Sequence, residues 1–165
     1  WCLEVHFINW FTNYKTKKYL TMRDIRLLIS QFINKNIIMK NFSNSFKYDY
    51  EKSALEFFSV YANKPKRNVI YSLLKFWNTW DMYNVSVGFL LILKKYKRFN
   101  NFMNMFLKLL MNNINPNPYK RYSISQNIDY IKKIENIKIE KTTELDKINN
   151  KDIILHSYRI KPNTI

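Results

Sequence analysis

The residue types that most often carry catalysis or bind metals are few in this chain. Its two histidines, His6 and His156, are separated by nearly the whole sequence, and Cys2 is the one cysteine. A structural zinc site needs four donors and a disulfide needs a second thiol, so the sequence predicts neither. One glycine cannot form a Gly-rich phosphate loop, and the scattered acids show no paired-carboxylate pattern. We therefore expect no enzyme, no catalytic residue, no metal, no cofactor and no small-molecule substrate.

Lysines and arginines form five short clusters, each beside an aromatic residue, a proline or an asparagine. They cover residues 14–19, 63–68, 94–99, 119–122 and 157–162. Cations can neutralise phosphates, while Tyr and Phe can stack on unpaired bases or ribose. The 28 Lys and Arg against 12 Asp and Glu give a formal net charge of +16, which favours a polyanionic partner and, with the aromatics, RNA. The alternative is that these cations only solubilise the surface.

The elements that must position these clusters are mostly helices, because apolar residues recur at helical spacing. In residues 21–35, Thr21 is a candidate N-cap. Four residues share the apolar face of this helix, namely Ile25, Leu28, Ile29 and Phe32. Further helices are predicted over residues 50–63, 69–91 and 98–113, with Gly88 marking a helix end or a close backbone contact. Residues 41–50 are predicted to be a loop because they contain turn-forming Asn and Ser.

The sequence changes character after residue 111. Two prolines among asparagines indicate a loop, and residues 128–147 mix charges of both signs, which favours an exposed helix or strand in a solvated insertion. Residues 148–165 alternate like a β-hairpin with a turn at Asn149 and Asn150. We therefore predict an α+β fold, in which a mostly helical domain carries a small RNA-binding α-hairpin and a short antiparallel β-hairpin.

Three collinear stretches give this chain a resemblance to the universal small-subunit ribosomal protein four family. Residues 148–164, "INNKDIILHSYRIKPNT", resemble the family's closing hairpin, with coinciding Asn149, Lys151, Ser157, Tyr158, Lys161 and Pro162. Residues 73–89, "LLKFWNTWDMYNVSVGF", resemble a family helix, with matching Asp81, Gly88 and Phe89. Residues 51–74 resemble the preceding helix, its basic loop and the start of the next helix. The family's N-terminal domain, which sometimes binds zinc, has no recognisable counterpart here.

The resemblance implies four segments. They are a divergent basic N-terminal extension (1–50), a helical core with the first part of the RNA-binding fold (51–111), a lineage-specific insertion (112–147) and the closing β-hairpin (148–165). It also implies a structural constituent of the mitochondrial small ribosomal subunit, which binds the 5′ domain of small-subunit rRNA by shape and phosphate contacts beside neighbouring ribosomal proteins. The predicted RNA-binding residues are Lys64, Lys66, Arg67, Lys94, Lys95, Lys97, Arg98, Lys108, Lys151, Tyr158, Arg159 and Lys161.

The composition indicates where such a chain would be made. Phe, Tyr, Met, Ile, Asn and Lys supply more than half the residues, and all six have AU-rich codons. This bias is typical of an AT-rich, ciliate-like organellar genome, so we expect an organelle-encoded protein of the mitochondrial matrix. No membrane span is predicted, because the best apolar run, residues 85–93, is far shorter than the ~20 residues that a bilayer demands.

Two other functions fit parts of this pattern. A peripheral basic subunit of a mitochondrial respiratory or ATP synthase complex would share the same codon bias. A pseudouridine synthase can carry a similar small RNA-binding fold as an appended module, but this chain has no room for the catalytic domain. We therefore favour the ribosomal protein and keep the respiratory-complex subunit as the alternative.

Overall fold

Helices account for most of the chain that this computed structural model describes, which is residues 1–14, 16–96 and 98–135. The α-helices within it are Leu3–Asn13 (α1), Met22–Lys35 (α2), Asn44–Phe58 (α3), Lys66–Leu74 (α4), Trp80–Leu93 (α5), Asn101–Asn113 (α6) and Ile124–Glu135 (α7). Short 3₁₀ turns occupy Met39–Asn41, Ser59–Tyr61, Trp77–Thr79 and Pro118–Lys120.

The α+β prediction is wrong. The described residues are 75% helical and contain no β-strand or sheet. Tyr19 and Pro65 form an isolated antiparallel bridge. The physical reason is that the apolar residues of these segments recur at helical spacing, so each element buries a stripe against other helices. The β-hairpin predicted for residues 148–165 lies outside the described residues.

The N-terminus of α2 follows the predicted capping pattern. The Thr21 hydroxyl accepts a hydrogen bond from the Asp24 backbone N–H at 3.1 Å, and the Asp24 carboxylate accepts one from the Thr21 N–H at 3.1 Å. This reciprocal pair satisfies amide groups that would otherwise lack partners at a helix start. The predicted apolar face is confirmed, since all four of its residues are buried: Ile25, Leu28, Ile29 and Phe32.

The loop predicted for residues 41–50 is wrong, because α3 begins at Asn44. Ser43 caps this helix, and its hydroxyl accepts a hydrogen bond from the Phe46 backbone N–H at 3.1 Å. Aromatic rings four residues apart then meet along the chain, with ring centroids 4.1 Å apart for Phe42 and Phe46 and 6.1 Å apart for Phe46 and Tyr50. The serine that favours a turn therefore caps a helix, and aromatic side chains pack along the surface of that helix.

The helical character predicted over residues 69–91 is confirmed as two helices, α4 and α5, which the 3₁₀ turn Trp77–Thr79 separates. Gly88 lies inside α5, has no positive φ, and a Cβ added there would meet no atom within 4 Å. The prediction that Gly88 marks a helix end or a close backbone contact is therefore wrong. The position is exposed, so neither the packing nor the backbone conformation of the helix requires a glycine there.

The core draws on helices from both sides of the segment boundary proposed after residue 50. Helix α1 packs on α2 and α4, α2 packs on α3, and α5 packs on α6. The Phe7 and Phe58 rings stack with centroids 4.1 Å apart and join α1 to α3. Helix α7 packs on α6, and it buries Asn127 and Ile134. The described part of the predicted insertion therefore contributes buried side chains.

Candidate nucleic-acid interface

Two basic clusters that are far apart in sequence, residues 14–19 and 63–68, meet at the start of α4. The Lys66 backbone N–H donates to the Lys18 carbonyl at 2.8 Å, and the Asn63 N–H donates to the Leu20 carbonyl at 2.7 Å. Tyr19 and Pro65 form the isolated antiparallel bridge between these bonds. Main-chain hydrogen bonds hold the two stretches side by side. Four of their cations therefore share one surface, namely Lys17, Lys18, Lys66 and Arg67.

The local sequence explains why α4 begins at this point. Asn63 has a φ of 59°, a left-handed conformation that asparagine tolerates better than most residues. Pro65 then precedes the helix, and its carbonyl accepts hydrogen bonds from the Asn68 and Val69 N–H groups at 2.9 and 3.1 Å. Val69 and Leu73 are fully buried and fix the inner face of α4. The opposite face is left to solvent.

An open groove of about 820 Å³ runs along this outer face, and we name it the α4 groove. Its lining residues are Lys17, Lys18, Pro65, Lys66, Arg67, Asn68, Ile70, Tyr71 and Leu74. Four of these residues are cationic, four are apolar or aromatic, and none is acidic. The groove is therefore suited to a ligand that has both negative charge and apolar or aromatic surface.

Three of the four positive charges in the α4 groove have no acidic partner among the described residues. Lys17 pairs with Asp24 at 3.1 Å, whereas no described acid pairs with Lys18, Lys66 or Arg67. Helix α4 has no acidic residue in its first turn. The N-terminal end of a helix is the positive end of its dipole, where cations are unfavourable and an anion is stabilised. An anion bound at this end of the groove would therefore be stabilised.

The apolar part of the groove displays an aromatic ring. Tyr71 is 66% exposed and Leu74 is 44% exposed, and both lie on α4 beyond its cationic first turn. The Lys75 ammonium lies 5.0 Å from the centroid of the Tyr71 ring. A cation over a tyrosine face is favourable, and it places an additional positive charge beside the exposed ring.

Two of the predicted RNA-binding residues, Lys66 and Arg67, line this groove. Lys64 is exposed on the stretch that precedes α4 but does not line the groove. Others do not line it: Lys94 and Lys95 follow α5, Arg98 precedes α6, and Lys108 is exposed on α6. The Lys94 ammonium donates a hydrogen bond to the Asn41 side-chain oxygen at 3.2 Å. The remaining predicted residues lie outside the described chain and stay predictions: Lys97, Lys151, Tyr158, Arg159 and Lys161.

The predicted site omitted two cations and the aromatic ring that the groove contains. Lys17 and Lys18 belong to a basic cluster that the sequence shows, but nothing local connects that cluster to residues 63–68. Tyr71 could have been found from spacing, because it follows Arg67 by four positions and therefore shares a helix face with it.

The arginine of the fourth basic cluster, residues 119–122, has a different role from the one its composition indicates. Arg121 is buried, and its guanidinium donates to both carboxylate oxygens of Glu4, at 2.7 and 2.9 Å. It also donates to the Thr79 hydroxyl at 3.1 Å and to the Asn115 carbonyl at 2.8 Å. Burial alone lowers the pKa of Arg121, but the Glu4 carboxylate outweighs it and raises that pKa overall. This cation is therefore structural and is not available to a phosphate.

The Cys2 thiol and the His6 imidazole pack within the protein. Burial, reinforced by the nearby Glu4 carboxylate, raises the pKa of the Cys2 thiol to about 12, so the nucleophilic thiolate is scarce at neutral pH. His6 packs edge-on against Phe32, with ring centroids 5.9 Å apart. Burial and the Lys35 charge lower the His6 pKa and favour its neutral form. The described residues contain no group of three or more His, Cys, Asp or Glu that could hold a metal ion.

Comparisons of this chain with protein-family models, with curated proteins and with solved structures found no match. Among the described helices, none combines the length and the apolar character that crossing a bilayer requires.

Proposed function

We propose that this chain binds RNA through the α4 groove, as a structural component of the mitochondrial small ribosomal subunit that contacts small-subunit rRNA. The observation that carries the proposal is the meeting of two basic stretches, residues 14–19 and 63–68, in one groove whose lining contains no acid. A phosphate backbone supplies the negative charge that the groove lining does not contain. Each phosphate that a cation neutralises releases counterions, and this release favours binding.

The ribosomal part of the proposal comes from the resemblance to the small-subunit ribosomal protein four family. Residues 51–74 resemble a helix, a basic loop and the start of the next helix in that family. The basic loop of this stretch, residues 63–68, supplies Lys66 and Arg67 to the groove. The stretch that resembles the family therefore supplies part of the groove that we propose binds RNA, which supports rRNA as the ligand.

The direct test compares two double variants that lose the same charge. Lys66→Gln with Arg67→Gln removes two groove cations, whereas Lys132→Gln with Lys133→Gln removes two exposed cations of α7 that do not line the groove. Affinity for the 5′ domain of the organelle's small-subunit rRNA is measured by filter binding at one ionic strength. We expect the groove variant to lose at least ten-fold in affinity, roughly 1.4 kcal/mol, and the α7 variant to lose less than three-fold. Equal losses would contradict binding through the groove.

Fractionation of an organelle lysate on a density gradient tests the assembly to which the chain belongs. The ribosomal proposal predicts that the chain migrates with small ribosomal subunits. Migration with inner-membrane complexes would instead support the alternative of a peripheral respiratory or ATP synthase subunit and would overturn the ribosomal assignment.

A further inference from the structure

We infer that the α4 groove takes an unpaired stretch of RNA, with phosphates at its cationic end and a base stacked on Tyr71, in preference to the backbone of a duplex. This inference rests on the proposed RNA binding and specifies the form of RNA that the groove accepts.

The first step is the order of residue types along α4. Lys66 and Arg67 occupy the first turn, and Lys18 is held beside them by its hydrogen bond to the Lys66 N–H. Tyr71 follows one turn later. With a rise of about 1.5 Å per residue, Tyr71 lies roughly 7.5 Å along the helix axis from Lys66. Measured along the axis of a stacked strand, that length corresponds to about two nucleotides, at roughly 3.4 Å of rise each.

The second step is the chemistry of the groove beyond its cationic end. Ile70, Tyr71 and Leu74 offer apolar and aromatic surface there, and Tyr71 is 66% exposed. A duplex presents mainly phosphates and 2′-hydroxyls, and these polar groups would not cover the apolar and aromatic side chains. An unpaired base has a π-face that stacks on an aromatic side chain, and proteins that read single-stranded RNA use this contact.

The third step is the charge beside the ring. The Lys75 ammonium lies 5.0 Å from the Tyr71 ring centroid, so a nucleotide stacked at Tyr71 would have a cation near its phosphate. The groove volume of about 820 Å³ falls in the range of roughly 300–1,000 Å³ that is usual for sites enclosing small ligands. A few nucleotides match this scale better than the side of a helical duplex does.

The test uses two RNA probes of equal phosphate number, a single-stranded oligonucleotide and a blunt duplex without unpaired bases, with fluorescence anisotropy as the readout. The variants are Tyr71→Ala, Tyr71→Phe and the control Tyr48→Ala, which removes another tyrosine that is 68% exposed and does not line the groove. Tyr71 is exposed, so circular dichroism should show that all three variants fold like the unmodified chain.

The single strand should bind the unmodified chain more tightly than the duplex does. Tyr71→Ala should weaken single-strand binding by about 5- to 150-fold, the loss expected for one base–aromatic stack. Tyr71→Phe keeps the ring and should stay within about two-fold of the unmodified chain, as should Tyr48→Ala.

Equal affinity for the two probes, or a loss with Tyr71→Ala no larger than with Tyr48→Ala, would overturn this inference while leaving RNA binding by the cations intact. Failure of the Lys66 and Arg67 variant to weaken either probe would instead overturn the proposed function.

Discussion

Arg121 shows how one side chain can link distant parts of this chain. Its guanidinium pairs with Glu4 of α1 through two hydrogen bonds, and it also bonds Thr79 before α5 and the Asn115 carbonyl after α6. The carbon of the guanidinium group lies 5.1 Å from the centroid of the Tyr83 ring. A buried ion pair is retained when such additional hydrogen bonds satisfy both charges, and removing one partner leaves the other desolvated and unpaired.

We predict that Arg121→Met destabilises the protein by about 3–5 kcal/mol, because the Glu4 carboxylate then stays buried without a cation. Urea unfolding followed by circular dichroism measures this change. The double variant Glu4→Leu with Arg121→Met removes both charges and should lose much less stability than the single variant. Lys120→Met changes an exposed neighbour and should stay within about 0.5 kcal/mol of the unmodified chain. A cost for Arg121→Met as small as that of Lys120→Met would contradict a structural role for this pair.

At the scale of elements, the start of α2 joins helix stability to the shape of the candidate RNA site. Asp24 completes the capping box with Thr21, and the same carboxylate accepts hydrogen bonds from the Lys17 ammonium at 3.1 Å. The Thr21 hydroxyl also donates to Asp24 Oδ2 at 2.6 Å. This small network ties the end of the basic stretch 14–19, which forms one side of the α4 groove, to a rigid helix terminus.

We predict that Thr21→Ala costs about 1 kcal/mol of stability, within the range of about 0.5–2 kcal/mol measured for lost N-caps. The expected cause is an N–H group of the first turn of α2 that loses its acceptor. Ser30→Ala is the matched control, since Ser30 is an exposed hydroxyl residue inside the same helix, and it should change stability by less than about 0.5 kcal/mol. Thermal or urea unfolding of both variants measures the difference. Equal effects of the two substitutions would show that the cap contributes nothing measurable.

The elements also show how far the sequence could predict this structure. Helix α2 was predictable because its signals are local: a capping threonine followed by apolar residues at helical spacing. The start of α3 was not predicted, because a serine such as Ser43 is common both in turns and at helix N-caps. Only the aromatic packing that follows shows that Ser43 caps a helix. The α+β class was wrong, because the family resemblance and one short alternating stretch favour a sheet, whereas the apolar residues of the described chain recur at helical spacing and form helices.

The candidate site was predictable only in part, for a related reason. Lys66 and Arg67 were selected as cations of a basic loop, and the groove contains both. Nothing in the spacing of residues shows that Lys18 lies beside Lys66, or that Arg121 pairs with Glu4, because each partnership joins distant parts of the chain. Charge clusters therefore predict a polyanionic ligand, whereas long-range packing decides which cations are available to bind one.

At the scale of the whole molecule, positive charge is the dominant feature. The formal net charge is +16, and ion pairs among the described residues are limited to Lys17 with Asp24 and Arg121 with Glu4. Such an excess repels itself in the folded state, and a polyanion that binds only the folded chain relieves this repulsion and stabilises the fold. The proposed RNA binding should therefore increase folding stability.

We predict that RNA binding weakens steeply with salt, and that the groove cations account for a defined share of the effect. The logarithm of the binding constant should fall linearly with the logarithm of salt concentration, with a slope of about −0.7 to −0.9 for each phosphate engaged. Replacing Lys66 and Arg67 by Gln should reduce the magnitude of this slope by roughly 1.4–1.8 if each cation contacts one phosphate.

Filter binding with small-subunit rRNA across a series of salt concentrations measures these slopes. The Lys132→Gln, Lys133→Gln variant carries the same net charge as the groove variant, so it controls for the general field of the protein. Its slope should stay close to that of the unmodified chain, because neither lysine lines the groove. A slope near zero for the unmodified chain would exclude binding through phosphates altogether. Equal slope changes in the two variants would show that RNA responds to total charge and that the α4 groove is not a specific contact.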